Sequence, residues 1–213
     1  MLRKAGVEVC TGTAVTPDLV KDEKPDLVVV ATGAAPFKPP IEAVEAPNVY
    51  QAWDVLKGTA QTGKDVVVVG GGSVGLETAI FLAVKGTISP EQLYFLTLHN
   101  AESPEVLREL MVKGVKNVTV IEMMRRIAQD VGPSTRWVLL KELALRGITT
   151  ITEAKMKEIS EKKIVYTDAE GKDVTLVADS VVLAMGARPE NTLAKELEGC
   201  GVEIRVIGDA NKC

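Results

Sequence analysis

Aromatic residues are scarce in this chain, 4% of 213 residues, so a hydrophobic core has to be assembled from Val, Leu, Ile and Ala. Apolar residues still make up 46%, enough to fill such a core. Small branched side chains suit a parallel sheet buried on both faces. Histidine occurs once, at His99, with no Cys or second His nearby, which argues against a zinc site. The three cysteines, Cys10, Cys200 and Cys213, lie far apart and form no C-x-x-C, so reduced thiols are expected rather than a redox dithiol. Charge of one sign never accumulates, and the formal net charge is only -4. That argues against a nucleic-acid partner or an anionic membrane surface, both of which select clustered Lys and Arg. No apolar run approaches the ~18 residues of a membrane span, and no signal-peptide core follows the charged N-terminus. Together these absences predict a cytoplasmic protein.

What is present falls into successive units. Ala5 to Cys10 reads as a strand, and Leu19-Val20 as part of a short connection. Asp26 to Ala31, bounded by Pro25 and Thr32-Gly33, reads as a buried strand. The proline-rich segment from Ala34 to Pro40 can be neither helix nor central strand. Ala52 to Leu56 predicts a short helix before Gly58. A second unit opens at Asp65 with the β-branched strand Val66 to Val69, a glycine turn, and a helix from Val74 to Val84. Residues 86–116 carry Ser-Pro-Glu twice, at Ser89 and Ser103, each an N-cap with proline at the first helical position. They predict a two-helix insertion. Val118 to Ile121, a helix from Ser134 to Arg146, and Ile148 to Ile151 continue the alternation. Lys155 to Ile159, Ile164 to Thr167 and Val174 to Val177, with a turn at Asp168 to Gly171, predict an antiparallel meander beside the main sheet. Ser180 to Ala184 is a further buried strand, and Val206 to Asp209 a last short one.

The glycine turn carries the chemistry. Gly70, Gly72 and Gly75 in Gly70-Gly71-Gly72-Ser73-Val74-Gly75 fill the spacing G-x-G-x-x-G between a strand and a helix. Gly70 would allow the tight turn, Gly72 would let backbone reach a pyrophosphate, and Gly75 would permit close helix packing. The helix N-terminus adds unpaired N–H groups and a positive dipole end. Such folds also place an acid at the end of the next strand, usually about 20 residues on. Glu122, followed by Met123, ends the next strand here but lies 47 residues past Gly75, a distance the insertion accounts for. A carboxylate there accepts hydrogen bonds from ribose hydroxyls and repels a 2′-phosphate, favouring NADH. Arg125 and Arg126 could hold a phosphate and keep NADPH as the alternative. Glu77, on the first turn of the helix, could face the nicotinamide end, pair with a lysine, or simply favour the helix N-terminus. Three further strand ends stand out: Ala31-Thr32-Gly33, Gly186-Ala187-Arg188-Pro189 and Gly208-Asp209. Read singly, each is only a turn.

In this order, the motifs resemble the flavoprotein oxidoreductases with two dinucleotide-binding domains, the pyridine nucleotide-disulfide oxidoreductase superfamily. The resemblance implies an α/β fold: a Rossmann-like three-layer NAD(P)-binding domain with a parallel sheet and an antiparallel β-meander, inserted in a partial FAD-binding domain. Residues 1–58 and 186–213 would belong to the FAD domain, and 59–185 to the NAD(P) domain. Thr32-Gly33 and Gly186 to Pro189 match the family's two chain crossovers. Gly208-Asp209 matches its second FAD signature, in which the aspartate holds the ribityl chain. Gly70, Gly72, Gly75, Glu77 and Glu122 match its NAD motif. Ala52-Trp53-Asp54-Val55-Leu56, the run from Gly132 to Leu140, and Ser89 to Leu93 are similar to the C-terminal portion of 2,4-dienoyl-CoA reductase and related NADH:flavin oxidoreductases, which carry an old-yellow-enzyme-like barrel as well. The resemblance therefore implies part of a longer flavoprotein, whose first FAD glycine motif would precede residue 1. Implied ligands are NADH, with NADPH as the alternative, and FAD in the full-length protein. The remainder of the flavoprotein is the implied partner, and an oligomer is compatible with the sequence. The expected function is hydride transfer from nicotinamide to flavin, and no residue is assigned a proton-transfer role. The rival is a non-catalytic dinucleotide or ADP-binding module used in assembly or regulation. A flavin-free dehydrogenase would need a general acid, and His99 in the insertion is the only histidine.

Overall fold

The computed structural model describes residues 2–41 and 43–213. In chain order the elements are α1 (Pro17–Glu23), β1 (Leu27–Val30), β2 (Ala34–Pro36), β3 (Val49–Gln51), α2 (Ala52–Lys57), β4 (Asp65–Val69), α3 (Ser73–Ala83), α4 (Pro90–Leu98), α5 (Pro104–Val112), β5 (Asn117–Ile121), α6 (Pro133–Leu145), β6 (Thr149–Ile151), β7 (Lys155–Ile159), β8 (Lys163–Thr167), β9 (Asp173–Val177), β10 (Ser180–Leu183), β11 (Ala187–Pro189), α7 (Thr192–Glu196) and β12 (Glu203–Val206). They form two compact units: Pro36–Gly186, and the residues up to Ala35 together with Ala187–Cys213.

Alternating valines build the larger unit. Its five-stranded sheet has the order β3-β10-β4-β5-β6, and every pairing is parallel. Successive side chains of a strand point to opposite faces, so Val66 and Val68 of β4 face one layer and Val67 and Val69 the other. The first pair packs with Ala52 and Val55 of α2, Leu76, Ala79 and Leu82 of α3, and Leu143 of α6. The second pair packs with Met156 and Ile159 of β7 and Ile164 and Tyr166 of β8. Burying each such aliphatic side chain stabilises by about 1.5–3 kcal/mol. The three layers are thus helices, parallel sheet and the antiparallel meander β7-β8-β9. Residues 36–58, which the motif order places in the first domain, pack with this unit, because β3 pairs with β10 through Val49 and Val181.

Residues 86–116 form the two helices expected of them. Ser89 accepts a hydrogen bond from Gln92 N, and Gln92 Oε1 accepts one from Ser89 N, a complete capping box. No residue of α4 is buried, and Leu107 is the buried residue of α5. With so little tertiary packing, α4 depends on its cap. Ser89→Ala should cost about 1 kcal/mol locally. Hydrogen exchange of the α4 amides should then quicken about fivefold, with the global melting temperature unchanged.

In the smaller unit β1 pairs in parallel with β12, Leu27 opposite Glu203 and Val30 opposite Val206. Three expectations are corrected there. Residues 5–10 form no strand: a 3-10 turn spans Leu2–Ala5, Gly6 is left-handed, and Val7 and Val9 lie exposed without a strand partner among the described residues. Leu19 and Val20 belong to helix α1, whose N-cap Thr16 accepts a hydrogen bond from Leu19 N at 3.3 Å. The last strand is Glu203–Val206, and Gly208–Ala210 is a 3-10 turn. β1 is also less buried than an apolar run predicts. Leu27 and Val29 share a face, and Val29 is 50% exposed, because the described residues of this unit cover only the opposite face of the strand, where Val30 lies.

Among the described residues, no helix is long and apolar enough to cross a membrane, and no cluster of three or more His, Cys, Asp or Glu could hold a metal ion.

Candidate dinucleotide site

The parallel register brings three chain exits to one edge of the larger unit. Val69 of β4 lies opposite Ile121 of β5 and Leu183 of β10. Gly70, Glu122 and Ala184 therefore leave the sheet side by side at its C-terminal edge, the position where open α/β sheets bind ligands.

Gly70 turns the chain through a left-handed conformation, φ 115°, and its N–H continues the ladder to Ile121 O. A Cβ here would lie 2.9 Å from the carbonyl carbon of Ala184, closer than any side chain tolerates. Gly72 is the N-cap of α3, and lacking a side chain it makes no side-chain cap. Ser73 and Val74 follow as the first helical residues. Gly75 packs α3 directly on the turn, where a Cβ would fall on the Gly70 carbonyl and 3.2 Å from Ala184 Cβ.

Two carboxylates reach this turn from the segment after β5. Glu122 is half-buried. Its Oε2 accepts from Gly71 N at 2.6 Å and its Oε1 from Met124 N at 2.7 Å. Asp130 accepts from Ser73 N at 2.9 and 3.1 Å and from the Ser73 hydroxyl at 2.8 Å. Partial burial pushes the Asp130 carboxyl up. The bonds from the Ser73 amide and hydroxyl, its own backbone amide and the charge of Arg136 outweigh that burial and hold it below the ordinary 3.8. Between the two acids, Ala128 N donates to Gly71 O at 2.7 Å, with Ala128 itself left-handed. The segment is thus stitched to the turn at three points.

Beside the turn opens a mostly apolar cavity of about 600 Å3, lined by Gly70, Gly72, Glu122 and Met123 together with Met156, Lys155, Phe37 and Met185. Its size suits a small-molecule or cofactor cleft. Arg125 lies instead with Arg126, Gln129 and Arg136 at a second cavity of about 460 Å3. Glu77 points to solvent from α3 and forms no ion pair among the described residues. Gly186 is left-handed, φ 89°, and its carbonyl accepts from Phe37 N.

The remaining residues singled out by sequence lie in the smaller unit. Because β1 and β12 pair in parallel, Ala31-Thr32-Gly33 and Gly208-Asp209 emerge at the same end of that ladder. The Thr32 hydroxyl donates to Glu190 O, and Glu190 N donates to Gly33 O, closing the first exit. Asp209 is exposed on the 3-10 turn. Sequence reasoning missed Asp130, Phe37 and Lys155. Asp130 touches a residue 57 positions away and carries no local signal, whereas the aromatic Phe37 within a proline-rich exit could have been marked.

A glycine turn between β4 and α3, an acid at the end of β5 and a cleft over the strand ends define a Rossmann-type dinucleotide-binding protein. The family model described as pyridine nucleotide-disulphide oxidoreductase matches residues 1–210, and the chain belongs to that family. It is 42% identical over 99% of its length to a metal reductase of Desulforamulus reducens. It is 37% identical over 98% of its length to an NADH oxidase of Thermoanaerobacter brockii. Among solved structures, 2-naphthoyl-CoA reductase superposes on the whole chain with a TM-score of 0.78 at 29% identity. The chain spans 32%, 28% and 28% of these three proteins, respectively.

Proposed function

We propose that this chain is the NADH-binding part of a flavin-dependent reductase. The observation that carries the reading is the glycine turn joined to Glu122 at the mouth of the 600 Å3 cavity. NADH would supply a hydride, and FAD in the full-length protein would accept it; the protein's task is binding and orientation. The backbone N–H groups at the start of α3 would bind the pyrophosphate. Glu122 would accept hydrogen bonds from the adenosine ribose, with Met123 beside it. Gly70, with no side chain, would let the nicotinamide end approach the exits of β4 and β10. Thr32, Gly33, Gly208 and Asp209, at paired strand ends of the smaller unit, would contribute to the flavin site. The substrate class we propose for the whole protein is a conjugated alkene such as an enoyl thioester, as in the 2,4-dienoyl-CoA reductase-like enzymes. The motifs at Ala52 to Leu56 and Gly132 to Leu140 and the likeness to 2-naphthoyl-CoA reductase support it.

Calorimetric titration of the chain with NADH and NADPH tests this reading. NADH should bind, and more tightly than NADPH by about tenfold, the effect of one charge repulsion of ~1.4 kcal/mol. No binding of either nucleotide would overturn the proposal, and a preference for NADPH would overturn the role of Glu122.

A further inference from the structure

The start of α3 already holds an anion of the protein's own. Asp130 takes the Ser73 N–H and the Ser73 hydroxyl, and its Oδ2 lies 3.1 Å from where a Gly72 side chain would begin. Gly72 and Ser73 are the residues whose bare backbone a pyrophosphate would approach. With Glu122 on Gly71 N, two carboxylates line the ground the phosphates must cover. Two negative groups cannot share one helix N-terminus without repulsion, since the dipole that attracts one is already compensated by the other.

We infer that Asp130 is a resident anion of the glycine turn, which a dinucleotide pyrophosphate displaces on binding, so that Asp130 sets the affinity of the site. The inference rests on the NADH-binding reading above. The surrounding structure allows the exchange. Arg136 of α6 donates to Gln129 O and Val131 O, and Ala128 N holds Gly71 O. The backbone on either side of Asp130 is therefore pinned independently of its carboxylate. A rotation of the Asp130 side chain alone frees Ser73 N, while the loop and the turn keep their places. Asp130 is exposed, so the displaced carboxylate moves into water at little cost. The arrangement keeps the helix end satisfied when no nucleotide is bound and weakens the site for every phosphate-bearing ligand.

Asp130→Asn tests this, because the amide oxygen still accepts from Ser73 while the charge is gone. Calorimetry with NADH, inorganic pyrophosphate and adenosine should show NADH and pyrophosphate binding about three- to tenfold more tightly than to wild type. Adenosine, which carries no phosphate, should bind both proteins alike. Asp130→Ala, which frees the Ser73 amide altogether, should move in the same direction. NADH affinity that is unchanged or weaker in both variants, with wild-type melting temperatures, would overturn the inference and make Asp130 a structural cap. If wild type binds no NADH, the proposed function fails separately, and pyrophosphate still decides: tighter binding to Asp130→Asn supports the resident anion, and equal binding overturns it.

Discussion

Gly75→Ala should abolish NADH binding and unfold the larger unit at markedly lower temperature. The added methyl lands on the Gly70 carbonyl, 3.0 Å from its carbon and 3.2 Å from Ala184 Cβ. Neither neighbour is a flexible side chain that could swing away. Gly70 is committed to the ladder through Ile121 O, and Ala184 continues β10 by donating to Val69 O. Relief requires α3 to lift off the sheet, which would expose Leu76 and Ala79, both fully buried in the helix-side core. Overpacking usually costs about 1–3 kcal/mol. A clash with backbone belongs at or above the top of that range, which for a chain of this size is a fall of roughly 6–12 °C in melting temperature. Gly71 offers a control. A Cβ there meets side chains rather than backbone, Ile127 Cγ2 at 2.7 Å and Glu122 Cβ at 2.9 Å, so Gly71→Ala should also be destabilising but cost less than a methyl driven onto the Gly70 carbonyl. Calorimetric unfolding together with NADH titration checks both variants. A Gly75→Ala protein that melts and binds like wild type would show that helix–sheet contact at this glycine is not required.

What was legible in the sequence was what local pattern encodes. The valines of β4 alternate between two apolar layers, so their run reads as a buried strand whichever layers cover it. Ser89 and Ser103 announce α4 and α5 because capping is a contact between near neighbours. The same logic was available at Thr16-Pro17-Asp18, where α1 begins, but that helix spans Pro17–Glu23 and buries only Val20, so its apolar periodicity is too faint to mark it. Residues 5–10 failed for the opposite reason. Val7 and Val9 alternate as a strand would, but a strand exists only where a partner pairs with it, and pairing is non-local. The end of the chain shows the same limit. Val206 is the last residue of β12 rather than the first because the register against β1 ends at Val30. At the site, Glu122 could be found in spite of the insertion, since a strand end followed by an acid is a local sign. Asp130 could not, because its partner Ser73 lies on α3, 57 residues earlier, and only the folded loop brings them together.

Glu122→Ala should weaken NADH and erase the preference between the two nucleotides. The Glu122 carboxylate holds Gly71 N at 2.6 Å and Met124 N at 2.7 Å, so it fixes both the turn and the start of the following segment. Its backbone is anchored separately, with N donating to Ile151 O and O accepting from Ala154 N. Truncation should therefore remove the carboxylate without dislodging the strand end. Hydrogen bonds to a charged group are worth about 1.5–3 kcal/mol each. Losing those to the ribose should weaken NADH by one to two orders of magnitude on that scale. NADPH behaves differently. Its 2′-phosphate no longer meets a fixed negative charge, and Arg125 and Arg126 lie only a few residues along the same segment. The ratio of NADPH to NADH dissociation constants should fall by about tenfold or more, the equivalent of ~1.4 kcal/mol. Glu122→Gln separates charge from hydrogen bonding: its oxygen can still accept from Gly71 N, while its amide group opposes Met124 N. It should recover part of the NADH affinity and little of the discrimination. A ratio unchanged in both variants would remove Glu122 from the ribose site and leave it only the task of bracing the glycine turn.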